Sequence, residues 1–474
     1  MSDPANNPLD ATDLAQLVSS GEASPLELVD QAIERIERLN PTINSVIHKR
    51  YDAARDEARG DLPDGPFKGV PFLTKDLGCA IAGEPMHLGN KLLKEIDLRS
   101  PVDSFLYEGF KSAGLITLGR TNTPELGSTV TTEPLAYGPT RSPWNLDHSV
   151  GGSSGGSAAS VASGMVSMAH ANDGGGSIRV PASECGLVGL KPSKGRVSQG
   201  PLIGDSWAGA TIDGVVSRSV RDSAKILDII SGRRVGDPYT ASPPARPFTD
   251  ELGVDPGTLR IGLAPTVGDY TTHPECLASI EATGELLTSL GHNVEIAQPE
   301  AMYTQEFNDS FLVMLAGSTA ADLNMLALLI GREFGPDDLE PDNFMMYEIG
   351  KTVTAADYLN AVTMLQAWTR QMHSWWTSFD VLVSPVVAAP PPKIGWLSDP
   401  ELGQGRLLEF LIFTAQFNIS GQPAVSLPLH WTDDGLPVGV QFVGGIDDEA
   451  TLIRLSSQIE AAAPWAHKLP PIFG

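Results

Sequence analysis

Cysteine is scarce in this chain. There are three in 474 residues, Cys79, Cys185 and Cys276, with no Cys-x-x-Cys spacing. That excludes a disulfide framework and a thiolate metal site, and it fits buried free thiols in a reducing compartment. The nine histidines show neither His-x-x-x-His nor His-Glu-x-x-His spacing, so no metal is expected. Positive charge is short as well: 32 Lys and Arg stand against 58 Asp and Glu, for a net charge of −26. Nucleic-acid backbones are held through Lys and Arg, so such partners are not expected. Long apolar runs are missing too. The stretch from Leu323 to Ile330 is too short to span a bilayer and contains Asn324. The opening Met1-Ser2-Asp3-Pro4 is polar and does not read as a signal peptide. A soluble cytoplasmic protein is the expectation.

Glycine, by contrast, is plentiful and placed with purpose. The stretch Gly151-Gly152-Ser153-Ser154-Gly155-Gly156-Ser157 is followed by Asp173-Gly174-Gly175-Gly176-Ser177, so Ser153 and Ser177 lie 24 positions apart among glycines. Glycine beside a nucleophilic serine opens backbone conformations and exposes N–H groups to a reacting oxygen. The first run precedes a helical pattern through Ala158, Ala159, Val161, Ala162 and Met165, which argues for a loop feeding a helix rather than a linker. It lacks the Gly-Lys-Ser/Thr ending of a phosphate-binding P-loop. Upstream, Val70-Pro71-Phe72-Leu73-Thr74 ends in Lys75. An apolar setting lowers a lysine pKa and so provides the neutral amine that a base requires. Two serines and a lysine point to an acyl-transfer enzyme that needs no histidine. Gly151 to Gly155 also matches Gly-x-Ser-x-Gly, the nucleophile elbow of α/β-hydrolases, which would make Ser153 the nucleophile with a later Asp and His. The triple glycine before Ser177 favours the first reading. His148 and His170 are read as structural.

Length alone allows two or three domains. Residues 11–60 read as helical, with Ser24-Pro25-Leu26-Glu27 as a capping box and Asn40-Pro41 as the stop. Beyond Gly69, apolar runs at Val70–Thr74, Leu115–Leu118, Arg260–Leu263, Asn293–Ile296, Val381–Ser384 and Val438–Val443 alternate with helical patterns such as Ser219–Ile230 and Pro274–Leu290. The alternation predicts an α/β fold with a mixed or largely parallel central sheet.

The chain resembles the amidase signature family. The resemblance rests on Lys75-Asp76, Gly119-Arg120-Thr121-Asn122, Asn145 to Ser157, Asp173 to Pro181 and Cys185-Gly186-Leu187-Val188-Gly189-Leu190-Lys191-Pro192, with Phe417 to Pro423 and Gly435 to Gly439 agreeing later. Within the family it is similar to the 6-aminohexanoate cyclic-dimer hydrolases through Val130 to Pro134 and Ser142 to Leu146. The resemblance implies one α/β amidase domain over 1–474: an N-terminal helical segment at 1–60, a signature core at 65–220, and the rest of the sheet and pocket at 221–474. It implies Ser177 as nucleophile, Ser153 as a bridging serine on a cis peptide bond, and Lys75 as the base. It further implies an oxyanion hole from the N–H groups of Gly174, Gly175, Gly176 and Ser177, and an acyl-side wall at Gly127 and Ser128. No cofactor is implied. The partners expected are a small-molecule amide and at most a second copy of the chain in a homodimer, without nucleic acid or membrane. The activity implied is hydrolysis of a carboxylic amide, linear amides first, with cyclic amides, an amidotransferase-type subunit or a non-catalytic subunit of the same fold as alternatives. Two departures stand out. Asn172 and Gly174 flank Asp173 where most members carry Thr or Ser and a β-branched residue. Ser128 stands where the cyclic-dimer hydrolases have Asn.

Overall fold

The computed structural model describes residues 8–474. Eleven strands among them form one sheet: β1 (Val46–Lys49), β2 (Pro71–Lys75), β3 (Ile116–Thr121), β4 (Met168–Asp173), β5 (Val188–Lys191), β6 (Ile212–Ser217), β7 (Arg260–Leu263), β8 (Asn293–Ile296), β9 (Val381–Pro385), β10 (Ala424–Trp431) and β11 (Pro437–Val443). Their spatial order is β1-β3-β2-β4-β6-β5-β10-β11-β9-β7-β8. The sheet is mixed. β2 runs parallel to β3 and β4, and β7 runs parallel to β8 and β9, while the centre from β4 through β6, β5, β10 and β11 is antiparallel. Strands from the N-terminal segment, the signature core and the remainder all join it.

Alternation along the strands explains why both faces are covered. Phe72, Met168 and Val215 point into one core, packed by the helices Val220–Ile230, Pro274–Ser289 and Glu449–Ala462. Their neighbours Leu73, Ala169 and Val216 point into a second core under the helices Pro25–Ile43 and Gly155–Ala162. Successive strand residues face opposite ways, so a strand buried on both sides must be apolar at nearly every position.

The N-terminal reading holds in part. The Ser24 hydroxyl accepts from the Glu27 N–H at 3.2 Å, and the Glu27 carboxylate accepts from the Ser24 N–H at 2.7 Å. That helix does not stop at Pro41: it runs to Ile43, where Asn44 takes a left-handed conformation at φ 57°. Residues 46–49 form a strand rather than more helix, because they pair with β3. The longest helix, Gln305–Ile330, corrects the reading of that region, since the segment Glu300–Ile330 is long and apolar enough to cross a membrane by length and composition. In the fold it packs along Pro341–Thr352 and Ala355–Ser374.

Candidate active site

Lys75 ends β2 and Asp173 ends the adjacent parallel strand β4, with Leu73 registered against Ala169. That register carries Lys75 and Asn172 to the same edge of the sheet. Ser153 enters on the loop before the helix Gly155–Ala162, and Ser177 lies in the turn before the helix Arg179–Cys185. The Gly152–Ser153 peptide bond is cis. Glycine is required at 152 because a Cβ there would lie 2.6–2.8 Å from the Thr131 backbone.

Lys75 is fully buried, and its Nζ donates to Ser153 Oγ at 2.7 Å and to Asn172 Oδ1 at 2.6 Å. Burial is the largest influence on its ammonium and holds it down to about 7, while the carboxylates of Asp213 and Asp173 pull the other way. Asn172 also donates through Nδ2 to Leu77 O at 3.1 Å, which fixes the direction of its carbonyl oxygen. Gly78 makes room for Asn172: a Cβ there would meet Asn172 Nδ2 at 2.6 Å.

The three glycines before Ser177 are held by a buried ionic frame. Asp173 Oδ1 accepts from the Gly176 N–H at 2.7 Å, and Oδ2 accepts from the Ile178 N–H at 3.1 Å. Arg179 donates to both oxygens, from Nε at 2.9 Å and Nη2 at 2.8 Å. Burial works against a charge on Asp173, and the Arg179 guanidinium overrides it, so the carboxyl stays well below the usual carboxylate range. Asn418 Nδ2 donates to the Asp173 carbonyl at 2.9 Å, and Thr414 Oγ1 donates to the Gly175 carbonyl at 2.6 Å. This frame changes one expected role. The Gly176 N–H is taken by Asp173, which leaves the N–H groups of Gly174, Gly175 and Ser177 as candidate oxyanion donors. Gly174 also has a reason to lack a side chain, since a Cβ there would stand 3.0 Å from the Trp207 ring.

Gly127 faces Ser153. A Cβ on it would come within 3.2 Å of Ser153 Oγ. Ser128 is exposed, and its hydroxyl turns back to Glu125 O at 3.0 Å. The histidines stand apart from both serines. His170 accepts the Lys75 backbone N–H on Nδ1 at 3.2 Å, which puts its proton on Nε2, shared with Asp213 at 3.1 Å. His148 Nδ1 donates to Pro391 O at 2.8 Å. The partner of Ser153 is therefore a lysine, and the nucleophile-elbow reading loses the histidine it needs.

The amidase family model matches residues 27–453 of this chain. The chain belongs to the amidase family. Its relatives extend the likeness to nearly full length. It is 41% identical over 477 residues to the 6-aminohexanoate-cyclic-dimer hydrolase of Paenarthrobacter ureafaciens, covering 98% of this chain and 96% of the relative. A solved structure of a 6-aminohexanoate cyclic dimer hydrolase complexed with substrate superposes with a TM-score of 0.95 at 41% identity, covering 98% of this chain and 99% of that one. A bacterial aryl acylamidase structure superposes at 0.90 with 29% identity, again over 98% and 99%. This member of the amidase family is thus an α/β enzyme that hydrolyses amides.

Sequence reasoning missed Asn172 as a partner of Lys75, and it missed Thr414, Asn418 and Arg179 as the frame of the glycine loop. Asn418 and Arg179 lie inside motifs quoted for the family resemblance, so their positions were visible and their contacts were not.

Proposed function

We propose that the chain cleaves a carboxylic amide through an acyl-enzyme on Ser177, with Ser153 and Lys75 relaying the proton. One observation carries this reading: a buried Lys75 Nζ stands 2.7 Å from Ser153 Oγ, in surroundings that hold the lysine near neutrality. Ser177 Oγ attacks the amide carbonyl and its proton passes to Ser153, whose own proton passes to neutral Lys75. The N–H groups of Gly174, Gly175 and Ser177 receive the developing oxyanion. The relay then runs backward to protonate the leaving nitrogen, the C–N bond breaks, and water hydrolyses the ester to release the acid. Gly127 forms the wall beside Ser153.

Linear amides are the proposed substrates, because the Ser128 hydroxyl turns away to Glu125 and offers the acyl side no side-chain donor. The 41% identity to cyclic-dimer hydrolases favours the cyclic amide as the second reading. We place the enzyme in the cytoplasm, supported by three buried free thiols. A fluorophosphonate followed by peptide mapping should label Ser177, and an adduct on Ser153 alone overturns the relay. Initial rates on linear aliphatic amides, acyl anilides and 6-aminohexanoate cyclic dimer separate the substrate readings. A kcat/KM highest for the cyclic dimer overturns the linear preference.

A further inference from the structure

A cavity of about 240 Å³ opens at the sheet edge among β1, β3 and the segment around Glu84. Its walls include the cations Lys49, Arg50, Arg99 and Arg120, with His48 and one carboxylate, Glu84; none of the proposed catalytic relay lines it. Three of the cations are already matched. Lys49 pairs with Glu37 at 2.6 Å, Arg50 with Glu57 at 2.9 Å and Glu84 at 3.2 Å, and Arg99 with Asp97 at 2.8 Å.

Arg120 is different. It is 2% exposed, and no carboxylate hydrogen-bonds to its Nε or Nη2 among the described residues. Its Nη1 donates to Lys75 O and Cys79 O, each at 2.9 Å. Its Nε and Nη2 have no hydrogen-bond partner among the described residues. Those two nitrogens form one edge of the guanidinium plane, the edge that grips both oxygens of a carboxylate or two oxygens of a phosphate. The buried carboxylate Asp76 lies close enough that Arg120 is the main charge opposing the effect of burial on it, yet none of its oxygens reaches Nε or Nη2 in a hydrogen bond; they accept from the His87 N–H at 2.9 Å and the Gly89 N–H at 3.2 Å. Buried donors of a charged group are costly to leave unpaired. Burial is the largest influence holding the His48 imidazole down to about 3, with His87, Arg120 and Lys94 adding to it and Asp97 opposing.

We infer that this cavity is a binding site for a small oxyanion, a carboxylate or orthophosphate, seated on the free Nε–Nη2 edge of Arg120. Arg50 and Arg99 complete the positive walls. Glu84 opposes the anion, and its ion pair with Arg50 draws it aside.

The test uses the full-length enzyme. Thermal melting is followed while sodium acetate or sodium phosphate replaces sodium chloride at constant ionic strength. The expected result is a saturable rise in Tm with at least one of the two anions, as for any ligand that binds the folded state. Arg99→Glu lies at the half-exposed mouth, outside the buried core, and should weaken that anion by about tenfold or more through charge reversal. Arg120→Gln, where it folds, should abolish the effect. A crystal soaked in selenate should place selenium against the Arg120 edge. A Tm indifferent to both anions, an unchanged affinity in Arg99→Glu, or selenium only elsewhere overturns the site.

Discussion

Asn172 Oδ1 lies 2.6 Å from Lys75 Nζ, so the buried lysine is held by an amide oxygen as well as by Ser153. The amide orients the amine without adding charge. Asn172 is a positioning residue in this reading. Asn172→Asp would place a carboxylate on the ammonium and favour its charged form, by about 1–3 pH units for an opposite charge this close. The acid limb of kcat/KM should move to higher pH, with activity lost at pH 7 and largely regained near pH 10. A pH–rate profile checks it, and an unmoved limb contradicts the role.

Lys75 itself should behave as a base, not as a fixed charge. Its ammonium is held down to about 7, so activity should rise as pH passes through that region. Lys75→Arg should be inactive at every pH from 6 to 10, because guanidinium stays protonated. Lys75→Met serves as the control for folding. The stability sign follows from the depressed pKa. Between about 7 and the ordinary lysine value of 10.5, the unfolded chain binds the proton and the folded chain does not. Stability therefore rises with pH across that window and is lost as pH falls through the folded value. Compared with Lys75→Met, the parent should gain stability from pH 7 to 10, as read from urea midpoints.

The glycine loop should be most sensitive at Gly176. Its φ is 139°, and a Cβ would meet Thr414 Oγ1 at 2.6 Å, the same hydroxyl that holds the Gly175 carbonyl. At Gly175 the nearest neighbour to a Cβ is Ala415, at 3.9 Å. By displacing Thr414 and with it the Gly175 peptide, Gly176→Ala should lower kcat by about 10²-fold or more, the scale of losing one oxyanion donor. Gly175→Ala should fold normally and lose less. Steady-state kinetics with circular dichroism distinguishes them, and equal losses would show that Thr414 does not set the loop.

What the sequence made legible was local. The Ser24–Glu27 box and the strands Arg260–Leu263 and Asn293–Ile296 carry their signals within a few residues, and they stand as read. β4, Met168–Asp173, was not read as a strand, because His170, Asn172 and Asp173 interrupt its apolar pattern; those residues are polar because they surround the lysine. Ser153 and Ser177 were visible through the glycines around them, and Lys75 through the apolar run that it ends. The contacts that position them were not: Asn172 reaches Lys75 across 97 residues and Thr414 reaches Gly175 across 239. Only the folded sheet brings such pairs together.

Glu184 gives the last test. It sits in the helix just after Ser177, fully buried, and neither carboxyl oxygen has a hydrogen-bond partner among the described residues. Burial pushes its carboxyl up to about 8; Ser149 and the Gly151 N–H lie close enough to soften that rise, and the Glu133 charge adds to it. The folded state thus keeps a proton that the unfolded chain releases near 4.5. Stability from this group is full below the unfolded value and declines as pH climbs toward the folded one. One such proton corresponds to a slope of at most about 1.4 kcal/mol per pH unit. Glu184→Gln keeps the shape and cannot ionise, so its stability should not fall between pH 5 and 8 on this account. Urea melts of the two proteins at pH 5, 6.5 and 8 should show the variant gaining on the parent at each step. Parallel curves would mean that Glu184 finds a partner and ionises like an ordinary carboxylate.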